Sequence, residues 1–351
     1  MIVNYIENKY VSFDRVIQLL NMCKDKNIFT NNGPVKLLLE QKISDLIELP
    51  KDKTVICTSS GTTALHALMF YYENVMKKRM IWGLPSFTFP SPCVNGFNYK
   101  LYDIDLETLT IPQNFNIQEV DGIILTNLFG THVDIDFWVK KCNEYKKTLI
   151  FDNASSFMSR HDNINICNYG ESSFASLHHT KFMGFGEGGF MVVGCENRDL
   201  MESIINFGFH GNREFSPMSS NFKMSDISAS FILQHIESYD IDKHVVVQNK
   251  IIDALEDIDG VNILKGFGGS VVYGCIPLFF EYGMDHRDFK NLGIEVNKYY
   301  LPLSKDSKNA FEIYNRIINF PVNQAIDDYQ ISEMARITKI MTKRRKESYE
   351  E

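Results

Sequence analysis

No C-x-x-C pair occurs among the seven cysteines, which are scattered singly and odd in number. That argues against a disulfide framework and the common zinc sites, and reads as reduced, mostly buried thiols in a cytoplasmic protein. The nine histidines show no H-E-x-x-H or other ligand spacing. The adjacent pair His178-His179 would point to opposite faces of a strand, so no metal is expected. No uninterrupted apolar run reaches the roughly 18 residues a membrane span needs. The N-terminal stretch carries Glu7, Lys9 and Asp14 and has no apolar core, so no signal peptide is expected either. Basic residues are outnumbered, 36 Lys and Arg against 44 Asp and Glu, for a net charge of −8. A general nucleic-acid surface is therefore not expected, although a local basic pocket for a phosphate is allowed.

What is present is ordinary for a globular protein: 351 residues, 44% hydrophobic and 23% charged. That length suits one large domain and a smaller one. The opening reads as two helices broken around Asn31-Asn32-Gly33-Pro34. Apolar strand-like segments then alternate with helical ones: "TVICTSSG" before "TALHALMFYYENVMKK", and "DGIILTNLFG" before "DIDFWVKKCNEYKK". "TLIFDNAS", "SSFASL" and "GGFMVVG" follow. Such alternation predicts an α/β fold with a mostly parallel sheet flanked by helices, whose ligands sit beyond the carboxyl ends of the strands. After about residue 240 the pattern changes. "HVVVQNKIIDALEDIDGVNIL" reads as helix then strand, "SVVYGCIPLFFEY" as one long strand, and "DHRDFKNLGIEVNKYY" as helix then strand. "IDDYQISEMARITKIMTKRRKE" reads as a closing helix. The expected division is an N-terminal arm and large domain over 1–240 and a small α+β domain over 241–351.

Three strand ends carry chemistry. In "SSGTTALHAL", Ser60-Gly61-Thr62 lead into a helix expected from about Thr63, which suits an anion site of free N–H groups, a positive helix end and two hydroxyls. The plain alternative is N-capping. "LIFDNASS" ends a strand on Asp152, either a turn residue or a carboxylate that could hold a protonated pyridine nitrogen. "SLHHTKFMGFGEGGF" surrounds Lys181 with a preceding Ser176 and with Gly186, Gly188 and Gly189. A surface lysine needs no such setting; one that must lose its proton and attack a carbonyl does. Phe89, in "PSFTF", would either pack in the core or lie against a planar ring. The order phosphate loop, aromatic ring, carboxylate, lysine is far more specific than any one piece.

With these motifs in place the sequence resembles, along nearly its whole length, the DegT/StrS family of pyridoxal-phosphate sugar aminotransferases with the aspartate-aminotransferase (fold type I) architecture. The family's N-G-T-x-A-L appears as Ser60 to Leu65, its P-x-x-T-F as Pro85 to Phe89, and its D-A-A-Q as Asp152 to Ser155. Its S-F-H-x-T-K-x-x-x-x-G-E-G-G appears as Ser176 to Gly189, its N-x-R-M as Asn221 to Met224, and its H-Y-x-P-L as Tyr299 to Leu303. The resemblance implies that Lys181 binds pyridoxal 5'-phosphate and shuttles a proton, and that Asp152 pairs with the pyridine nitrogen. Phe89 would stack on the ring, Ser60, Gly61, Thr62 and Ser176 would hold the phosphate, and Asn221 would reach it from the other subunit of a homodimer. Ser155 stands in place of Gln, which implies an altered or water-mediated cofactor contact. Lys223 replaces Arg and Tyr299 replaces His, which bears on the substrate more than on the cofactor. A family branch with His at the lysine position dehydrates sugars; Lys181 rules against it here.

The implied reaction is transfer of an amino group from L-glutamate to a nucleotide-linked 4-keto-6-deoxyhexose, with C4 favoured over C3, in surface-glycan or glycosylated-metabolite synthesis. Lys223, Arg213 and Lys298 are candidates for the diphosphate, and His178 is expected to pack structurally near Lys181. A non-catalytic sensor of cofactor or sugar nucleotide would not need Lys181, Asp152 and the phosphate loop together. Cysteine desulfuration would need a Cys in an exposed Gly/Ser-rich loop, which is not evident.

Overall fold

A computed structural model describes residues 3–209, 214–289 and 292–350. The helices α1 (Phe13–Lys26) and α2 (Pro34–Leu46) open the fold. Ser12 caps α1 by accepting the Arg15 N–H, and Asn27 ends it in the left-handed region, φ 53°. Pro34 occupies the first turn of α2, where its missing N–H costs nothing.

Among the described residues the main sheet has seven strands. In chain order they are β1 (Lys53–Thr58), β2 (Ile81–Pro85), β3 (Asn98–Tyr102), β4 (Gly122–Thr126) and β5 (Thr148–Asp152), then, after a two-residue hairpin of β6 (Arg160–His161) and β7 (Ile164–Asn165), β8 (Ser172–Ser176) and β9 (Gly189–Gly194). Their spatial order is β1-β9-β8-β5-β4-β2-β3. β9 runs antiparallel to both its neighbours and the other pairs are parallel, the mostly parallel α/β sheet that the alternation predicts.

Alternate residues of these strands enter different cores, as period-two geometry requires. Val55, Cys57, Phe190 and Val192 pack with α1, α2 and α6 (Asp226–Ser238) on one face. Ile56, Met191 and Val193 pack on the other face under α3 (Gly61–Met76) and α5 (Arg198–Ile204). The helix α4 (Ile135–Tyr145) covers β4 and β5 through Ile135, Trp138 and Cys142.

A second sheet of β10 (Val261–Ile263), β11 (Ile276–Phe280) and β12 (Ile317–Phe320) is antiparallel throughout. It shares a separate core with α7 (Ile241–Leu255) and α9 (Asp328–Glu350), and Val3 of the N-terminal arm joins that core. α8 (Lys308–Arg316) packs beside this sheet, with Ala310 and Ile313 buried.

Two expectations fail in this region. "SVVYGCIPLFFEY" is not one long strand, because β11 begins only at Ile276. The preceding N–H groups are taken by other elements: Val272 donates to Ser159 Oγ (3.0 Å), Tyr273 to Gln248 Oε1 (2.7 Å) and Gly274 to the Phe129 carbonyl (3.0 Å). These bonds turn the chain inward and set Cys275 beside the site described below. Among its described residues, "DHRDFKNLGIEVNKYY" likewise forms only a short 3₁₀ turn, His286–Phe289, and isolated bridges at Ile294 and Asn297. No described helix is long and apolar enough to cross a membrane.

Candidate active site

The carboxyl ends of the parallel strands meet at a cavity of about 520 Å³. β1 delivers Ser60, Gly61 and Thr62, β4 Thr126, β5 Asp152, and β8 Ser176 and then Lys181. Parallel pairing sets Thr126 directly beside Asp152, and Asp152 beside Phe174.

Asp152 lies on the cavity floor, only 3% exposed. Burial pushes its carboxyl up to about 6, against the opposing effects of the Ala154 N–H, Lys181 and Thr126. The Ala154 N–H donates to Oδ1 (2.9 Å), and Thr126 Oγ1 donates weakly to Oδ2 (3.4 Å) while sharing a 2.5 Å hydroxyl contact with Thr88. A buried carboxylate with so few donors favours a cationic N–H partner in the space above it.

Lys181 stands in the loop between β8 and β9. Its backbone closes tight turns: the Lys181 N–H donates to the His178 carbonyl (2.8 Å), and the Gly184 N–H to the Lys181 carbonyl (2.9 Å). A side chain at Gly184 would place its Cβ 2.1 Å from the His178 oxygen, so only glycine closes this turn. Burial lowers the Lys181 pKa, with Cys275 and Asp152 acting against it. No carboxylate among the described residues lies within ion-pair distance of its ammonium. The surroundings therefore disfavour the charged form relative to that of an exposed lysine.

The helix α3 starts at Gly61, two residues before the sequence places it, with Ser60 as its cap. A capping box consumes the Thr63 N–H (to Ser60 Oγ, 3.1 Å) and the Ser60 N–H (to Thr63 Oγ1, 2.9 Å). The Gly61 and Thr62 N–H groups and the Thr62 hydroxyl are left with no partner among the described residues, at the positive end of a 16-residue helix. Of the two readings posed from sequence, capping is met here and partly commits the Ser60 hydroxyl, while the Gly61 and Thr62 amides stay available to an anion. Gly189 lets β9 pass this loop: a Cβ there would lie 2.3 Å from the Gly61 nitrogen.

The other predicted residues divide clearly. Phe89 lines the cavity but is 53% exposed, its ring edge-on to Tyr300 at 6.4 Å. Ser155 also lines it, with its hydroxyl accepting from the Phe129 N–H (3.1 Å) and donating to the Asn127 carbonyl (3.3 Å). His178 sits near Lys181 as expected and also lines the cavity, with Nδ1 2.8 Å from the Thr180 hydroxyl and Nε2 3.5 Å from Glu187. Asn221 is exposed and outside the lining, bridged to Asn206. Lys223 bonds Asn206 Oδ1 (2.5 Å) and lies over the Phe207 ring, also outside the lining. Lys298 is no spare cation: it donates to the carbonyls of Met284 (2.5 Å) and Asn315 (3.2 Å). Arg213 lies outside the described residues.

Sequence reasoning missed Tyr5, Thr126, Phe129, Cys275 and Tyr300, which complete the wall. Phe129 and Tyr300 stack at 5.7 Å and 9°, and Tyr5 meets Tyr299 edge-on at 6.3 Å. Burial pushes the Cys275 thiol up to about 11, so it is no thiolate nucleophile at neutral pH.

The profile of the DegT/DnrJ/EryC1/StrS aminotransferase family matches residues 13–339. The chain belongs to this family. It is an aminotransferase, and its cofactor is pyridoxal phosphate. It is 25% identical over 344 residues to dTDP-4-amino-4,6-dideoxy-D-glucose transaminase of Shigella dysenteriae, covering 88% of this chain and 91% of that protein. In fold it is similar to a pyridoxal-phosphate-dependent aminotransferase of Bacillus cereus (TM-score 0.84, 19% identity, covering 96% of this chain and 99% of that one). It is equally similar to DesI, solved with its TDP-sugar product (TM-score 0.84, 18% identity, 97% and 94%). The donor set fits the cofactor: unpartnered N–H groups for a phosphate, a buried carboxylate for a ring N–H, and an amine poised between them.

Proposed function

We propose that this aminotransferase moves an amino group from L-glutamate to C4 of a nucleotide-linked 4-keto-6-deoxyhexose, giving an amino-dideoxy sugar nucleotide. The observation that carries the reading is one cavity that unites Lys181, Asp152 and the unpartnered Gly61 and Thr62 amides at adjoining strand ends. The extent of similarity to the Shigella transaminase supports a nucleotide sugar and C4.

Bound there, pyridoxal phosphate supplies an electron sink for the carbon that loses its proton. Asp152 would hold the ring N–H, Gly61, Thr62 and Ser176 would bind the phosphate with Ser60 behind them, and Phe89 would lie against the ring. Ser155, in the lining and bonded through its hydroxyl to the backbone of Phe129 and Asn127, would make an altered or water-mediated contact with the cofactor. Lys181 Nζ, disfavoured as an ammonium by burial, takes the proton from the substrate carbon and returns it. The aromatic walls of Phe129, Tyr300 and Tyr299 offer apolar faces to a deoxygenated sugar. Phe89 and Asn221, both exposed in the single chain, suit a homodimer in which a second subunit completes the site. We place the enzyme in the cytoplasm, with residues 1–240 as its arm and large domain and 241–351 as its small domain.

The test is the visible absorption of protein loaded with pyridoxal phosphate, before and after L-glutamate. The band should collapse, and a nucleotide-linked 4-ketosugar should restore it, with the product's amino carbon read by NMR. A band indifferent to glutamate would overturn the donor, and restoration by a nucleotide-linked 3-ketosugar but not by the 4-ketosugar would overturn the regiochemistry.

A further inference from the structure

The N-terminal arm touches three regions before α1 begins. Val3 exchanges backbone hydrogen bonds with Gly293 (2.8 Å) and Glu295 (2.9 Å). Tyr5 donates its N–H to Glu295 Oε2 (3.0 Å), and its ring lines the cavity. Lys9 Nζ then donates to the carbonyl of Lys181 (2.5 Å) and to that of Gly184.

We propose that Lys9 is a positioning residue that clamps both ends of the turn bearing Lys181 and so keeps that lysine out of water. The inference rests on Lys181 as the cofactor's attachment point.

Lys9 is half-buried, and no carboxylate among the described residues comes within ion-pair distance of it. Two backbone carbonyls therefore stand in for the water its ammonium has lost. Both belong to one four-residue turn, so the clamp spans the turn instead of merely docking onto it. Burial pulls the Lys9 pKa down to about 8, with Glu7 opposing. The charged and titratable groups around Lys9 are Glu7 on its own arm, His179 of the loop and His235 of α6; Lys243 of α7 faces Glu7. His235 adds a second pin, with Nε2 2.8 Å from the Phe182 carbonyl, inside the same turn. Lys181 itself is faced by Asp152 and Cys275. Its lowered pKa comes first from burial, so what loosens the turn admits water and moves that pKa back toward the ordinary lysine value.

The test compares Lys9→Met and Lys9→Arg. In cofactor-free protein, amide exchange at Lys181 and Gly184 should quicken about tenfold or more in Lys9→Met, since charge-assisted hydrogen bonds to the turn are lost. Exchange in the core of β4 and β5 should not change. In protein loaded with pyridoxal phosphate, the pH midpoint of the visible band should rise by about half a unit or more. Lys9→Arg keeps the donors and should restore both readings. Should Lys9→Met fail to fold, Lys9→Gln, with a shorter donor, carries the same test. Unchanged exchange and midpoint, or Lys9→Arg matching Lys9→Met, would overturn the proposal. Faster exchange with an unmoved midpoint would also overturn it, by separating the clamp from the exclusion of water; a visible band that survives in Lys181→Ala would instead overturn Lys181 as the attachment point, so the two failures are told apart.

Discussion

Lys36 and Lys181 are both withdrawn from water, and their surroundings give them opposite characters. Lys36, 2% exposed, meets Glu40 at 2.6 Å, Glu202 at 2.9 Å and Asn32 at 2.7 Å. Arg198 closes the cluster with contacts to Glu40 (2.7 Å) and Glu202 (3.2 Å), and Glu40 also accepts the Cys57 N–H from β1. Burial works against the Lys36 charge, yet its carboxylates outweigh burial and raise its pKa. Lys181 has no such partner, and burial prevails. Withdrawal from water alone does not fix a lysine's character; the carboxylates beside Lys36 hold it as a cation, and their absence beside Lys181 lets burial lower its pKa.

The sharpest way to break this comparison is Lys181→Ala. We expect transaminase activity to fall at least about 10³-fold and the cofactor's visible band to be lost. Stability should go the other way. A lysine with a depressed folded pKa weakens the native state as pH falls, so Lys181→Met in cofactor-free protein should melt no lower than the wild type, and relatively higher in acid. Lys36→Met should do the reverse: a loss of about 3 kcal/mol in denaturant unfolding, because Glu40 is left buried with its charge half-compensated, while any folded protein still shows the visible band. If both variants lose stability equally, the contrast between the sites is wrong.

Asp152→Asn sharpens the same point from the carboxylate side. Its folded pKa of about 6 lies above the unfolded value near 3.9, so the stability linked to its proton is fully present below about pH 4 and lost as pH rises through 6. Cofactor-free Asp152→Asn should therefore be more stable than wild type by about 1–2 kcal/mol at pH 8, with the gain vanishing toward pH 4. Activity should fall about a hundredfold or more, because the amide cannot stabilise a ring N–H cation. The smallest effect is expected from Ser60→Ala, about 1 kcal/mol for the lost cap of α3, with cofactor affinity only modestly reduced because the free donors are the Gly61 and Thr62 amides. A large loss of affinity there would assign the phosphate to the hydroxyl instead.

The difference between these lysines was partly legible in the chain. Lys181 sits among glycines after a short apolar strand, a local pattern, and Asp152 ends a run of β-formers. Lys36 reads as one more charge on an amphipathic helix, because Glu202 and Arg198 arrive from α5. Cys275 stayed hidden for a related reason. "SVVYGCIPLFFEY" alternates like a strand, and only the claims of Ser159, Gln248 and Phe129 on its N–H groups bend it into the cavity wall. Tyr5 and Lys9 lie in an arm without periodicity. Lys298 failed as a site cation because its carbonyl partners are tertiary, and composition does not reveal those.

The reversed strand β9 has a kinetic consequence. Because β8 and β9 are neighbours joined by the lysine's own loop, with Ser176 opposite Gly189, that loop closes over a short stretch of chain at small entropic cost. β1, which leads into the unpartnered Gly61 and Thr62 amides, must instead find β9 from far earlier in the sequence. The setting of Lys181 can thus assemble as a local hairpin, and the Gly61 and Thr62 amides join it only when the distant strand docks.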